Sequence, residues 1–241
     1  MSGAGGDQTR GDSIPVPHGS GAVWLSLGEV AALCTKAARG AGMEWGVAEE
    51  AGHAAAWLAG HGMDGPRLLL ALLSEHEDAR WAAIRPVPSE GGWRPAGARP
   101  ICPIALGITL CDHAALPDGA FSAGLPVRMG PVARPALLLP FLAAAAEASG
   151  RTLVLDWDGG AAAIGGPDGW PTWAVRMLDT AAIPSLVLIS RPGAPAAMSV
   201  CPPPPVDAGT IGGLGALAMR TTVPASAASR AGAGAAAGDN D

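Results

Sequence analysis

The sequence predicts an α+β fold: an N-terminal helical unit packed on a mainly antiparallel sheet, with a few further helices. Three observations carry this expectation. Residues 24–80 place apolar side chains at a 3.6-residue period between helix-start and helix-stop residues. Beyond residue 100, short apolar runs alternate with turn residues. Some of those runs are joined by tight turns rather than crossover helices, which favours antiparallel pairing. The expected organisation is a disordered leader over residues 1–22 and a single domain over 23–241. Within that domain lie the helical part (24–80), a sheet-rich part (100–206), and a helix with an ordered closing segment (207–241).

Each element has a local reason. Ser26 and Glu29 form the S-x-x-E capping box, and Leu27, Val30, Ala31, Cys34, Ala37 and Ala38 follow at helical spacing until Gly40. A second helix is expected from about Gly46 to Ala59, its stripe made of Val47, Ala51, Ala54 and Leu58. Asp64 caps a third, with Gly65 and Pro66 in its first turn. Pro86–Pro103 reads as a linker or sheet edge. Strands are predicted at Ile104–Leu110, Pro126–Met129, Thr152–Asp156, Ala161–Ile164, Ser185–Ser190 and Ala196–Cys201, with one hairpin turning at Asp158-Gly159 and a second formed by Ser185–Val200. Helices are predicted at about Ala136–Ala148, Trp173–Thr180 and Gly209–Thr221.

Composition narrows the function. The chain of 241 residues is 49% hydrophobic and carries a net charge of −6, with its basic residues scattered. That balance excludes a nucleic-acid binder, which needs a basic surface to release counterions from phosphates. The longest greasy stretch, Pro135–Ala146, is too short to span a bilayer and holds Pro140. No secretion signal opens the sequence, so a cytoplasmic protein is expected. Cys34, Cys102, Cys111 and Cys201 form no C-x-x-C pair and are expected to be buried free thiols.

Several short patterns invite chemistry. Gly213–Ala218 fits G-x-G-x-x-A, but four prolines rather than a strand precede it, so close helix packing is the expected role. Cys111 and His113 would share a face if they lay on a strand. Asp156 and Asp158 either share a cation or form the hairpin turn. No metal set and no cofactor motif are found.

Two longer blocks carry a resemblance. SLGEVAALCTKAARGAGMEWGVAEEAG, starting at Ser26, and VPASAASRAGAGAAAGDND, starting at Val223, resemble DUF3726, an uncharacterised bacterial family. The resemblance implies that Lys36, Arg39, Trp45, Gly46, Glu49, Glu50, Pro224, Ser226, Ser229, Arg230, Gly232, Gly234, Asp239, Asn240 and Asp241 sit in signature blocks. It implies no activity. Gly60-His61 and Arg67-Leu68 are also similar to the catalytic-histidine turn of the type-2 malate/L-lactate dehydrogenases. That likeness covers one short stretch, lacks the second histidine, and has Asp64 near its place.

The expected function is small-molecule metabolism or ligand binding, at a polar site between the helical unit and the closing segment. Candidate ligand-binding residues are Trp45, Glu49, Glu50, His61, Asp64, Arg220, Ser226, Ser229, Arg230, Asp239 and Asp241. A small anionic ligand suits the serines and arginines among them. The alternative is a non-catalytic accessory subunit or assembly partner, and a homodimer is possible on either reading.

Overall fold

Ser26 opens the first helix, α1 (Leu27–Gly40), through the expected capping box. Its hydroxyl accepts from the Glu29 amide at 3.2 Å, and the Glu29 carboxylate accepts from the Ser26 amide at 2.8 Å. The computed structural model describes residues 21–77, 80–114, 124–164, 172–193 and 200–221, together with Leu116, Phe121 and Pro195. Helix α2 (Trp45–Gly60) runs back along α1, and α3 (Gly65–Glu75) starts at the Asp64 cap, whose carboxylate accepts from the Arg67 amide at 3.2 Å. Alanines let these helices close tightly: Ala37, Ala38, Ala48, Ala51 and Ala55 are all fully buried.

The segment read as a linker is an edge hairpin, β1 (Pro86–Ser89) and β2 (Gly92–Pro95), after a 3-10 turn at Trp81–Ile84. The strand predicted at Ile104–Leu110 is instead helix α4 (Pro103–Ala114). It is buried around most of its circumference, so its apolar run shows no stripe, and a short apolar run cannot by itself separate strand from buried helix. This also corrects the pairing of Cys111 with His113. Two helical positions apart, they point about 200° around the axis rather than to one face.

Strands β3 (Val127–Met129) and β4 (Val132–Ala133) follow. Then a 3-10 turn at Pro135–Leu138 leads into α5 (Leu139–Ser149). The hairpin of β5 (Thr152–Trp157) and β6 (Gly160–Ile164) turns at Asp158-Gly159, as the sequence indicates. Gly159 sits at φ 138°, where only glycine is comfortable, so Asp156 and Asp158 belong to a turn-ended hairpin. Helix α6 (Thr172–Leu178), β7 (Ala182–Ile183), β8 (Leu186–Arg191) and α7 (Ala208–Met219) complete the order.

The main sheet has the order β1-β2-β3-β8-β5-β6, antiparallel except for the β2–β3 pair, and β4 and β7 form a separate antiparallel pair. Central β8 alternates buried Leu186, Leu188 and Ser190 with half-buried neighbours, the period-2 pattern of a strand with one face on the core. It pairs with β3 and β5 rather than turning back on itself; most of the arm predicted at Ala196–Cys201 lies outside the described residues. Helices α4 and α5 join the two halves, touching α2 on one side and the sheet on the other. The apolar core is continuous across that junction, from Leu58 and Leu69 through Ile104, Leu106 and Leu142 to Leu155 and Leu188. Among the described residues no helix is long and apolar enough to cross a membrane.

Candidate functional site

The last turns of α1 put Thr35, Lys36 and Arg39 on neighbouring positions of one face, since residues three and four apart adjoin. Helix α7 crosses α1 immediately beyond them. A Cβ on Gly40 would lie 1.8 Å from the Leu217 carbonyl oxygen, so the glycine lets the two backbones meet. Ala218, Met219, Arg220 and Thr221 follow that crossing. Together with Trp45, the first residue of α2, these groups enclose a cleft of about 690 Å³.

The cleft is basic in a chain that is net acidic. Lys36, the chain's single lysine, is exposed. The Arg39 guanidinium donates to the Met43 carbonyl and stands 5.3 Å from the centre of the Trp45 ring. A guanidinium has five N–H donors, so this tether leaves others for a ligand. Arg220 is paired with Glu77 at the rim; both side chains are about half exposed, so the pair exchanges readily with solvent. Among the described residues no carboxylate lines the cleft. The carbonyl ends of α1 and α7 add some negative potential, and the amide end of α2, whose Glu44 cap makes no side-chain bond, adds positive potential. Lys36 and Arg39 carry full cationic charges that outweigh these half-charges, while the charge of Arg220 is balanced by Glu77.

The candidate residues are distributed as follows. Trp45 and Arg220 share the basic cleft. Glu49 is exposed on α2. Glu50 lines a different cavity, of about 390 Å³, between α2, α4 and α5. His61 and Asp64 stand at the far end of α2, about 24 Å from Trp45 at 1.5 Å rise per residue. There the His61 ring stacks on Trp57 with centroids 3.8 Å apart, and its Nδ1 donates to the Trp57 carbonyl at 2.7 Å. Asp64 caps α3 and lies 3.5 Å from Arg67, which also bonds Asp179. Ser226, Ser229, Arg230, Asp239 and Asp241 lie outside the described residues. Thr35, Lys36 and Arg39 were not among the sequence-derived candidates. The i,i+3 spacing of Lys36 and Arg39 just before Gly40 is the signal that points to them.

The thiols divide by environment. Cys34 and Cys102 are fully buried, Cys111 is half-buried, and Cys201 is exposed, which corrects the expectation of four buried thiols. Burial, with a small push from Asp64, raises Cys34 to about 12. Burial raises Cys102 to about 11 against two backbone hydrogen bonds. Cys111 also reaches about 11, through burial first and then the charges of Glu50 and Asp112. None of the three is a thiolate at neutral pH, so none serves as a ready nucleophile. Residues 213–218 lie within α7, where Gly213 faces Leu70, and no strand leads into them; this is close packing rather than a dinucleotide loop. Among the described residues no group of three His, Cys, Asp or Glu could hold a metal.

No curated protein and no solved structure matches the chain. The family model of DUF3726, described as a protein of unknown function, matches residues 25–102, which takes in α1, α2, α3 and the edge hairpin. The likeness of the first sequence block to DUF3726 is thereby shown, over a segment that supplies Thr35, Lys36, Arg39 and Trp45 to the basic cleft.

Proposed function

We propose that this is a cytoplasmic ligand-binding protein whose site is the basic cleft. Its ligand is a small carboxylate or phosphate carrying a flat apolar portion. The observation that supports this reading is the convergence of Lys36, Arg39 and Arg220 with the Trp45 ring on one cleft of about 690 Å³. That volume lies in the range of small-molecule sites. Arg39 offers paired donors to an anion, Lys36 a mobile point charge, and Thr35 and Thr221 neutral donors. Trp45, 62% exposed, offers a ring face against which an apolar body can stack. Four free cysteines suit a reducing compartment.

Calorimetric titration with indole-3-acetate and phenyl phosphate, using neutral indole-3-acetamide as control, tests the proposal. The anions should bind at least about ten-fold tighter than the amide, and Lys36→Ala with Arg220→Ala should erase that preference. Equal binding of charged and neutral probes would overturn it. A second reading, an accessory subunit, draws on one observation: Trp45 and Met219, 62% and 67% exposed, sit together in the same cleft. It predicts a stoichiometric protein partner lost on Trp45→Ala, with neither anion bound.

A further inference from the structure

We infer that the cavity between α2, α4 and α5 is a second ligand site, selective for an organic monocation with a small apolar body. It is separate from the basic cleft and of opposite polarity. Its volume of about 390 Å³ suits an amine of metabolite size rather than a cofactor.

The walls are apolar and the rim is acidic. Phe141 and Pro140 from α5 are buried; Trp57 from α2 and Ile108 from α4 are half-buried along the sides. Helices α4 and α5 can frame the cavity because Gly107 faces Phe141, whose ring carbons a Cβ would approach to 2.2 Å. Glu50 on α2 and Asp112 on α4 both line the cavity, and both are exposed. Among the described residues neither takes part in an ion pair, and no Lys or Arg lines the cavity. Among the described residues His53, one turn from Glu50, is the only lining group able to carry positive charge.

The two carboxylates act on one point. Burial first, and then both charges, push up the Cys111 thiol, which lines the same cavity and donates to the Phe141 carbonyl at 3.3 Å. Two negative charges from separate helices therefore project their field into a cavity with low-polarity walls, where a bound cation would gain from both. The half-buried Trp57 indole, stacked on His61, adds an apolar wall contact. A neutral apolar ligand would keep the wall contacts and lose both charge interactions. An anion would be repelled.

The test uses the full chain carrying Cys201→Ser, which removes the exposed thiol and leaves Cys111 as the accessible one. The probes are 2-phenylethylamine, neutral 2-phenylethanol and phenylacetate. Affinity is read by ligand-observed NMR titration, and occupancy by the rate of Cys111 alkylation with iodoacetamide, with and without probe. The amine should bind at least about ten-fold tighter than the alcohol and should slow alkylation. Glu50→Gln with Asp112→Asn should bring amine and alcohol to equal affinity while leaving indole-3-acetate binding at the basic cleft unchanged. Both substitutions are on exposed side chains, and an unchanged melting temperature verifies the fold. Equal binding of amine and alcohol to the parent chain would overturn the inference. So would an amine preference that survives the double substitution, or saturating amine that leaves Cys111 alkylation untouched.

Discussion

The two clefts meet different parts of the same helix and differ in charge, in volume and in what holds them open. The basic cleft begins at Trp45, the first residue of α2, and leans on α1 and α7; the acidic cavity begins one turn later, at Glu50 and His53, and leans on α4 and α5. A chain with only 15% charged residues has thus gathered cations on one side of α2 and carboxylates on another. Each cleft depends on a helix crossing at a glycine. At Gly40 the obstacle to a side chain is backbone, the Leu217 carbonyl; at Gly107 it is the Phe141 side chain. Backbone at 1.8 Å cannot step aside without moving a helix. At Gly107 the obstacles include Phe141 Cγ at 2.2 Å and Cβ at 2.7 Å, which turning the ring does not move, so α5 must shift there too, but by less. The basic cleft should therefore be the more brittle of the two.

Substitution at these glycines gives the largest effect and the most direct way to break the comparison. Gly40→Val must displace α7 from α1, and about 3 kcal/mol of destabilisation is expected, the upper end for overpacking. For a chain of this length that is a fall in melting temperature of about 6–12 °C. Gly107→Ala replaces a helical glycine, which by itself favours the helix by about 0.5–1 kcal/mol, and this partly offsets the strain of displacing Phe141 and the start of α5. Its net loss should be no more than about half that of Gly40→Val. Thermal denaturation of both variants decides the matter, and equal losses would mean that α7 yields as easily as a side chain.

That contrast also explains what could be read in advance. Features fixed by neighbours in sequence were legible: the Ser26 capping box, the Asp64 cap and the Asp158-Gly159 turn each consist of residues within three positions. Helix α4 was not. Its run of Ile104, Leu106, Ile108 and Leu110 mimics strand alternation, and what makes it a helix is burial against α5, a contact about 30 residues away in sequence. Pro103 at its first position was the one local hint. The basic cleft was half legible. Trp45 and Arg220 stood out as polar or aromatic groups, but only the Gly40 crossing brings α7, some 170 residues on, beside Lys36 and Arg39. Nothing in the sequence distance between Glu50 and Asp112 tells that they face one cavity.

The thiols sharpen the comparison through pH. A thiol whose ionisation is pushed above its usual value of 9.0 keeps its proton in the folded chain after the unfolded chain has lost it. The resulting stability is intact below pH 9 and falls as pH rises through 11 to 12, by up to about 1.4 kcal/mol per pH unit for each fully buried thiol. Denaturant midpoints at pH 8, 9 and 10 should therefore decline above pH 9. Cys34→Ala, beneath α1, should flatten that decline measurably even though it lowers stability at pH 8. Cys111, half-buried and influenced by Glu50 and Asp112, should contribute less to the slope and respond to those carboxylates. A decline that Cys34→Ala leaves unchanged would place the alkaline sensitivity elsewhere.

The smallest expected effect lies at low pH and separates the clefts by their helix caps. Two of the three helices that bear the basic cleft start at a side-chain cap: Ser26 with Glu29 on α1, and Asp207, which accepts from the Thr210 amide at 2.9 Å, on α7. Hydrogen bonding holds both carboxyl groups below their usual values, chiefly through Ser26 for Glu29 and through Thr210 for Asp207. Their contribution is therefore present above the unfolded values of 4.5 and 3.8 and fades as pH falls through the lower folded values. Helix α5, in the wall of the acidic cavity, has no side-chain cap to lose. Ser26→Ala should lower stability by about 1 kcal/mol at pH 7. The deficit should narrow without vanishing as pH falls below 4.5 and through the lower folded value, because protonating Glu29 weakens the Ser26 hydroxyl's bond to the carboxylate while its bond from the Glu29 amide persists. Amide hydrogen exchange at pH 7 and pH 3 resolves where the loss falls. Faster exchange in the first turns of α1 and α7 with α5 unaffected is the expected result, and uniform loosening of all three would show that the caps do not set the acid response.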